Sequence, residues 1–125
     1  MARHKTPTLT EAELRLMKIV WEHDQVTVND VMTAIPVSKS LAYNTILTTM
    51  RILEQKGYLR REKIGRSHVY RPLVSRHQAR TKAMRQMVSS FFDGSPEQLM
   101  LSVLENEQLT SEEIARLKRM IDKGK

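Results

Sequence analysis

The chain has 125 residues, 40% of them hydrophobic and 5% aromatic. That is room for one modest domain or two small ones, with a core resting on aliphatics and Met and with Trp21 as its largest single piece. The lack of cysteine excludes disulfides, thiolate zinc sites and a Cys nucleophile, and fits a reducing cytosol. The formal net charge of +7 favours polyanionic partners. No apolar leader opens the chain and no stretch approaches the ~20 residues that cross a bilayer, so a cytoplasmic protein without membrane insertion is expected.

Leu9-Thr10-Glu11-Ala12-Glu13 opens the first element. Thr10 and Glu13 have capping-box spacing, and Leu9 and Leu14 that of a hydrophobic staple. Leu14, Met17, Val20 and Trp21 share one stripe, which predicts a helix over 11–23 ended by His23-Asp24. Gln25-Val26-Thr27-Val28 is β-branched and predicts one brief strand. Asn29 or Thr27 can cap a second helix with Val31, Met32 and Ile35 as its core face, stopped by Pro36. After Val37-Ser38-Lys39, a third helix over about 40–56 buries Leu41, Ile46, Met50 and Leu53, with Leu47 or Ile52 at the margin. Lys56-Gly57 ends it, with a cation in the last turn and Gly just beyond.

Segments 58–64 and 67–72 have strand-like content around Gly65-Arg66. They are compatible with a two-residue hairpin with Gly first, or with a looser loop from Glu62 to Arg66. Helix, strand, helix, helix, hairpin is the order of a winged helix-turn-helix. Beyond Leu73-Val74 the pattern is helical throughout. Ser75 caps a helix over about 76–93 that ends at Gly94. Ser95-Pro96-Glu97-Gln98 starts a short helix, and Thr110 with Glu113 starts the last one. The expected fold is mostly α with a small β wing: a winged-helix domain over 1–75 and a helical domain over 76–125.

Most of the charge excess lies in one place. Lys39, Arg51, Lys56, Arg60, Arg61, Lys63, Arg66 and Arg71 face only Glu54 and Glu62 across 39–71, and no acid occurs between Lys63 and Phe92. The third helix offers Ser40, Tyr43, Asn44, Thr45, Thr48 and Arg51 opposite its core face. Asn pairs bidentately with adenine, Arg with guanine, and a Thr methyl packs on the thymine methyl. Solvated helix faces usually carry Glu and Lys, whereas this one is nearly free of acids, so it is expected to read a DNA major groove. Lys39 and Ser40 at the helix start can hold a phosphate. Lys63, Arg66 and His68 on the hairpin are candidates for backbone or minor-groove contact, and Tyr70 for packing against the core.

The residues Leu9-Thr10, Glu13, Met17, Val20-Trp21, Val26-Thr27-Val28, Leu41 to Thr45, Leu53 to Leu59, Gly65-Arg66 and Tyr70 to Leu73 together resemble the penicillinase-repressor (BlaI/MecI) family, closely over about residues 9–75. The resemblance implies a homodimeric winged-helix repressor on a dyad operator of β-lactam-resistance or other stress genes. It also implies induction through a membrane-bound sensor protease and a cut in the C-terminal domain. The best-known members are cut at an Asn-Phe bond, and by pattern that position is Ser102-Val103 here. The copper-responsive branch, with its C-terminal Cys-x-Cys pairs, is excluded by the absence of cysteine.

Three short amphipathic helices in about 50 residues cannot close a core alone. Two copies can, and Met84, Val88, Phe91, Phe92, Leu99, Met100, Leu104, Ile114, Leu117 and Ile121 are the expected interface and core. Two tethered modules also gain effective concentration on DNA, which predicts a pseudo-palindromic operator. Other functions fit less well. The four histidines lack metal spacing and there is no glycine-rich phosphate loop, so neither an enzyme nor a cofactor is expected. A protein-binding winged helix predicts apolar exposure on the third helix, which is polar. A membrane-surface binder would use Phe91-Phe92 as anchors, but dimer packing accounts for those better.

Overall fold

The structure is a computed structural model that describes residues 8–36 and 41–124. Its elements run α1 (Glu11–His23), α2 (Val28–Ala34), α3 (Tyr43–Gln55), β1 (Leu59–Ile64), β2 (Ser67–Pro72), α4 (Arg76–Phe91), α5 (Pro96–Asn106) and α6 (Ser111–Lys123). The chain divides into two compact units, Met1–Met84 and Arg85–Lys125, with the division inside α4.

Local signals set the helix ends. Thr10 caps α1 with a full capping box: the Glu13 N–H donates to Thr10 Oγ1 at 3.2 Å and the Thr10 N–H to Glu13 Oε1 at 3.0 Å. Of the two candidate caps for α2, Thr27 is the one used, paired with Asp30 at 2.9 and 3.1 Å. Ile35, before Pro36, turns extended and ends α2, as the proline ring demands. Ser75 with Gln78 and Thr110 with Glu113 repeat the device at α4 and α6, and at α5 Ser95 Oγ accepts from the Gln98 N–H alone. Gly57, at φ 89°, closes α3. There the Gly57 N–H donates to Glu54 O at 3.1 Å and the Tyr58 N–H to Leu53 O at 2.9 Å, the paired bonds of a Schellman end.

Three expectations are corrected here. The strand over 25–28 shrinks to one bridge at Val26, which exchanges bonds of 3.0 and 2.7 Å with Tyr70, because Thr27 already serves as the α2 cap. Met32 is 38% exposed, and Val28, Val31 and Ile35 form the buried row of α2 instead. On so short a helix a residue one step past Val31 falls off the apolar stripe. Trp21 is only half-buried, its indole N–H donating to Val74 O at 2.8 Å. The largest fully buried side chains are Tyr58 and Tyr70. The starts of the last two helices match expectation, whereas α4 ends at Phe91, two residues early, with Asp93 and Gly94 in left-handed backbone.

The core of the first unit gathers Leu16, Met17 and Val20 from α1, Val31 from α2, and Ile46, Met50 and Leu53 from α3. One ion pair sits at its edge. Lys56, just past α3, reaches across to Glu13 on α1 at 2.7 Å, with side-chain exposures of only 21% and 8%. Burial alone would raise the Glu13 carboxyl pKa. The Lys56 ammonium and the Thr10 N–H outweigh it and hold the group below its ordinary value of 4.5. Burial, reinforced by the same carboxylate, pushes the Tyr58 phenol up.

A carboxyl with a lowered folded-state pKa stabilises the fold above its unfolded pKa, and that contribution is lost as pH falls through the folded value. Glu13→Gln should therefore cost about 1–3 kcal/mol in urea unfolding at pH 7. The gap from the parent should close as pH falls below about 4. A pH-independent gap would mean that the loss is one of packing.

Candidate nucleic-acid interface

The α3 helix starts at Tyr43, after Ala42 as an N-cap without a side-chain cap bond, rather than at about residue 40 as expected from the sequence. Lys39 and Ser40, assigned there to the helix start, lie outside the described residues. Ile46, Met50 and Leu53 have 0% exposure and fix one side of α3 against the core. Leu47 and Leu41 pack at its margin, whereas Ile52 is 37% exposed, so Leu47 is the marginal residue of the two. Successive helix positions are about 100° apart. Asn44, Thr48, Arg51 and Gln55 therefore fall on the side opposite the buried row, and all four are exposed.

Tyr43 and Thr45 are exposed on the two flanks. Of the Thr48-Thr49 pair only Thr48 projects freely. Thr49 is half-buried and its hydroxyl donates back to Thr45 O at 2.9 Å. Gln55, one of the outward four, was missed in the sequence reading. Its spacing of seven residues from Thr48 and eleven from Asn44 was the available signal.

The hairpin is the two-residue form with Gly first. Ile64 pairs with Ser67 and Lys63 with His68, Gly65 takes φ 62° while Arg66 stays out of the left-handed region, and the looser loop does not form. Directly paired residues share a face of the ribbon. One face therefore carries Leu59 and Tyr70 at the core end and Arg61, Lys63 and His68 toward the tip. Between this face, α2 and α3 runs a cleft of about 250 Å3 lined by Asn29, Tyr43, Arg51, Arg61, Arg66 and His68, with Tyr70 at its base. The structure thus brings Tyr43, Arg51, Arg66 and His68 together and adds Asn29 and Arg61, which the sequence reading passed over. For Arg61 the signal was the strand's two-residue alternation with Lys63.

The charge is partly committed elsewhere. Lys56 is held by Glu13, Arg71 meets Glu62 at 3.2 Å, and Arg61 lies 3.8 Å from Glu54 in an exposed, weak pair. Among the described residues Arg51, Arg60, Lys63 and Arg66 have no ion-pair partner. These are the cations free to meet phosphates or bases.

In the second unit neither α5 nor α6 buries any residue in the single chain. Phe91 is 78% exposed and Ile121 62%. Met84, Met100, Leu104, Ile114 and Leu117 are exposed as well, as are Met87, Leu101 and Met120, which were not on the expected interface. Phe92 and Leu99 are half-buried, and Val88 is already buried within one chain. The Ser102-Val103 bond lies inside α5. The Ser102 carbonyl accepts from Asn106 Nδ2 at 2.8 Å and the Val103 carbonyl from the Glu107 N–H at 2.9 Å. No helix among the described residues is long and apolar enough to cross a membrane.

An outward polar helix held beside a cationic two-stranded wing defines a winged helix-turn-helix protein. The sequence model of the penicillinase repressor family matches residues 9–123, and the chain belongs to that family. It is 31% identical to the penicillinase repressor of Bacillus licheniformis over 121 residues, 97% of this chain and 94% of that one. It is 27% identical to the methicillin resistance regulatory protein MecI of Staphylococcus aureus (strain N315) over 120 residues, 96% and 98% of the two chains. The solution structure of the DNA-binding domain of the repressor BlaI superposes with a TM-score of 0.53 and 32% identity, covering 61% of this chain and 93% of that one. The Bacillus licheniformis BlaI monomer in complex with the blaP half-operator gives 0.51 and 32%, covering 59% and 90%.

The wing tip offers a check that touches no reading side chain. A Cβ on Gly65 would meet nothing within 4 Å, so only its φ of 62° opposes substitution. Gly65→Ala should cost about 1 kcal/mol and leave α3 intact. Thermal unfolding together with helix content by circular dichroism checks both halves.

Proposed function

We propose that this protein is a transcriptional repressor that reads its operator with the outward face of α3. The observation that carries this reading is that face: Asn44, Thr48, Arg51 and Gln55 exposed in one row, with the free cations Lys63 and Arg66 on the adjoining wing. In this reading Asn44, Thr48 and Arg51 meet base edges in the major groove, and Tyr43 and Thr45 flank them. Arg66, Lys63 and His68 on the wing hold the backbone, as do Lys39 and Ser40 ahead of the helix. Membership of a repressor family supports a role in binding rather than catalysis.

The protein acts as a homodimer in the cytoplasm, on a pseudo-palindromic operator. Exposed apolar faces on α5 and α6, with nothing buried beneath them in one chain, support pairing through Phe91, Leu104, Ile114, Leu117 and Ile121. Its targets are genes of β-lactam resistance or a related stress response, as the names of its relatives suggest. Induction by a sensor protease at Ser102-Val103 would require α5 to open first, because proteases bind extended chain and the carbonyls of both residues are engaged at the helix.

Affinity for operator DNA should fall steeply between 50 and 200 mM salt, on the order of a hundredfold or more for several phosphate contacts. Asn44→Ala and Thr48→Ala should lose discrimination between operator and random duplex. Lys63→Ala and Arg66→Ala should weaken both alike and flatten the salt slope by about one unit each. A competition assay in which the two classes of variant behave the same would refute this division. Phe91→Asp or Leu117→Asp should yield monomers in sedimentation velocity, and a dimer that survives both changes would displace the proposed interface.

A further inference from the structure

A second concave site lies in the first unit, away from the α3 cleft. It has a volume of about 320 Å3, within the range of about 300–1,000 Å3 that small-ligand pockets occupy. Its apolar wall is built by Leu9, Leu14, Ala79, Ala83 and the indole of Trp21, and Lys18, Arg76 and Arg80 stand around it. The Arg76 guanidinium lies 5.6 Å from the Trp21 ring centroid. None of these three cations has an ion-pair partner among the described residues, although Glu13 takes Lys56 and Glu62 takes Arg71 nearby in the same unit. All three are exposed at the rim of the apolar wall, and no carboxylate among the described residues pairs with any of them, so their donors are open to an anion from solvent.

We propose that this pocket binds a small, flat, apolar carboxylate. The aromatic body lies against the apolar wall of Leu9, Leu14 and the Trp21 indole, beside the Arg76 guanidinium that stacks over the indole ring. The carboxylate takes the forked donors of Arg80 or Arg76, which match its two oxygens. A neutral aromatic satisfies only the wall and a bare inorganic anion only the rim, so the site discriminates for molecules that carry both. The pocket owes nothing to the α3 face, so it stands or falls independently of operator reading.

Trp21 is the single tryptophan of the chain and reports directly on its own pocket. Titration of the full-length protein with 2-naphthoate, followed by Trp21 emission, should saturate at least tenfold more tightly than with neutral 2-naphthol, and should raise the unfolding midpoint. Inorganic phosphate alone should leave both readouts unchanged. Arg80→Gln should weaken naphthoate at least tenfold while leaving 2-naphthol as it was. Ala83→Met, which fills the mouth without removing charge, should block both aromatics. Both variants should keep the parent's circular dichroism and operator binding. Equal affinity for naphthoate and naphthol, an equal response to phosphate, or unimpaired naphthoate binding in a folded Arg80→Gln protein would each overturn the proposal.

Discussion

Complete burial of Ile46, Met50 and Leu53 along one side of α3 is the constraint from which the rest of the first unit follows. A helix seated on three side chains with no solvent exposure cannot rotate about its axis without opening cavities, each of which costs several kcal/mol by the usual core-truncation scale, about 2–5 for a Leu or Met. Its opposite side is thereby aimed outward, and Asn44, Thr48, Arg51 and Gln55 stand there because the helical repeat leaves them nowhere else. The C-terminal end is held a second time. The Schellman bonds at Gly57 turn the chain sharply into β1, and Lys56 at the turn is tied to Glu13. The wing therefore leaves α3 from a fixed point, which sets the width of the cleft that Arg61, Arg66 and His68 line.

Charge in this segment serves two purposes that composition alone does not separate. Lys56 is structural: it sits in a half-buried pair whose loss would strand a carboxylate at the core edge. Arg71 is largely matched within the hairpin by Glu62. Arg51, Arg60, Lys63 and Arg66 are left for an external anion. Of the cations between Lys39 and Arg71, only part is thus available to a polyanion, and that part is gathered on the α3 flank and the wing.

The second unit shows the reverse balance. Its helices are among the most clearly punctuated in the chain, with Ser95-Pro96 and the Thr110–Glu113 box each making the bonds their sequence announces. Yet α5 and α6 bury nothing in one chain. Local capping determines where a helix begins because donor and acceptor lie three residues apart. It says nothing about what covers the helix's apolar side, and within the single chain α5 and α6 leave that side exposed.

The sequence by itself determined the order of the helices and the hairpin, four of the helix starts and the identity of the α3 core row, because caps, glycine turns and apolar periodicity are all written within one or two helical turns. Most of the outward row of α3 was legible for the same reason. Tertiary structure decided what depends on residues far apart in the chain: the reduction of 25–28 to a bridge with Tyr70, the retreat of Trp21 to the margin in favour of Tyr58 and Tyr70, and the entry of Asn29 and Arg61 into the cleft. It also decided which cations are spent, since the partner of Lys56 lies 43 residues away in sequence. Periodicity shows which side of an element is apolar. Only the packing of one element on another shows which polar groups are brought within reach of each other.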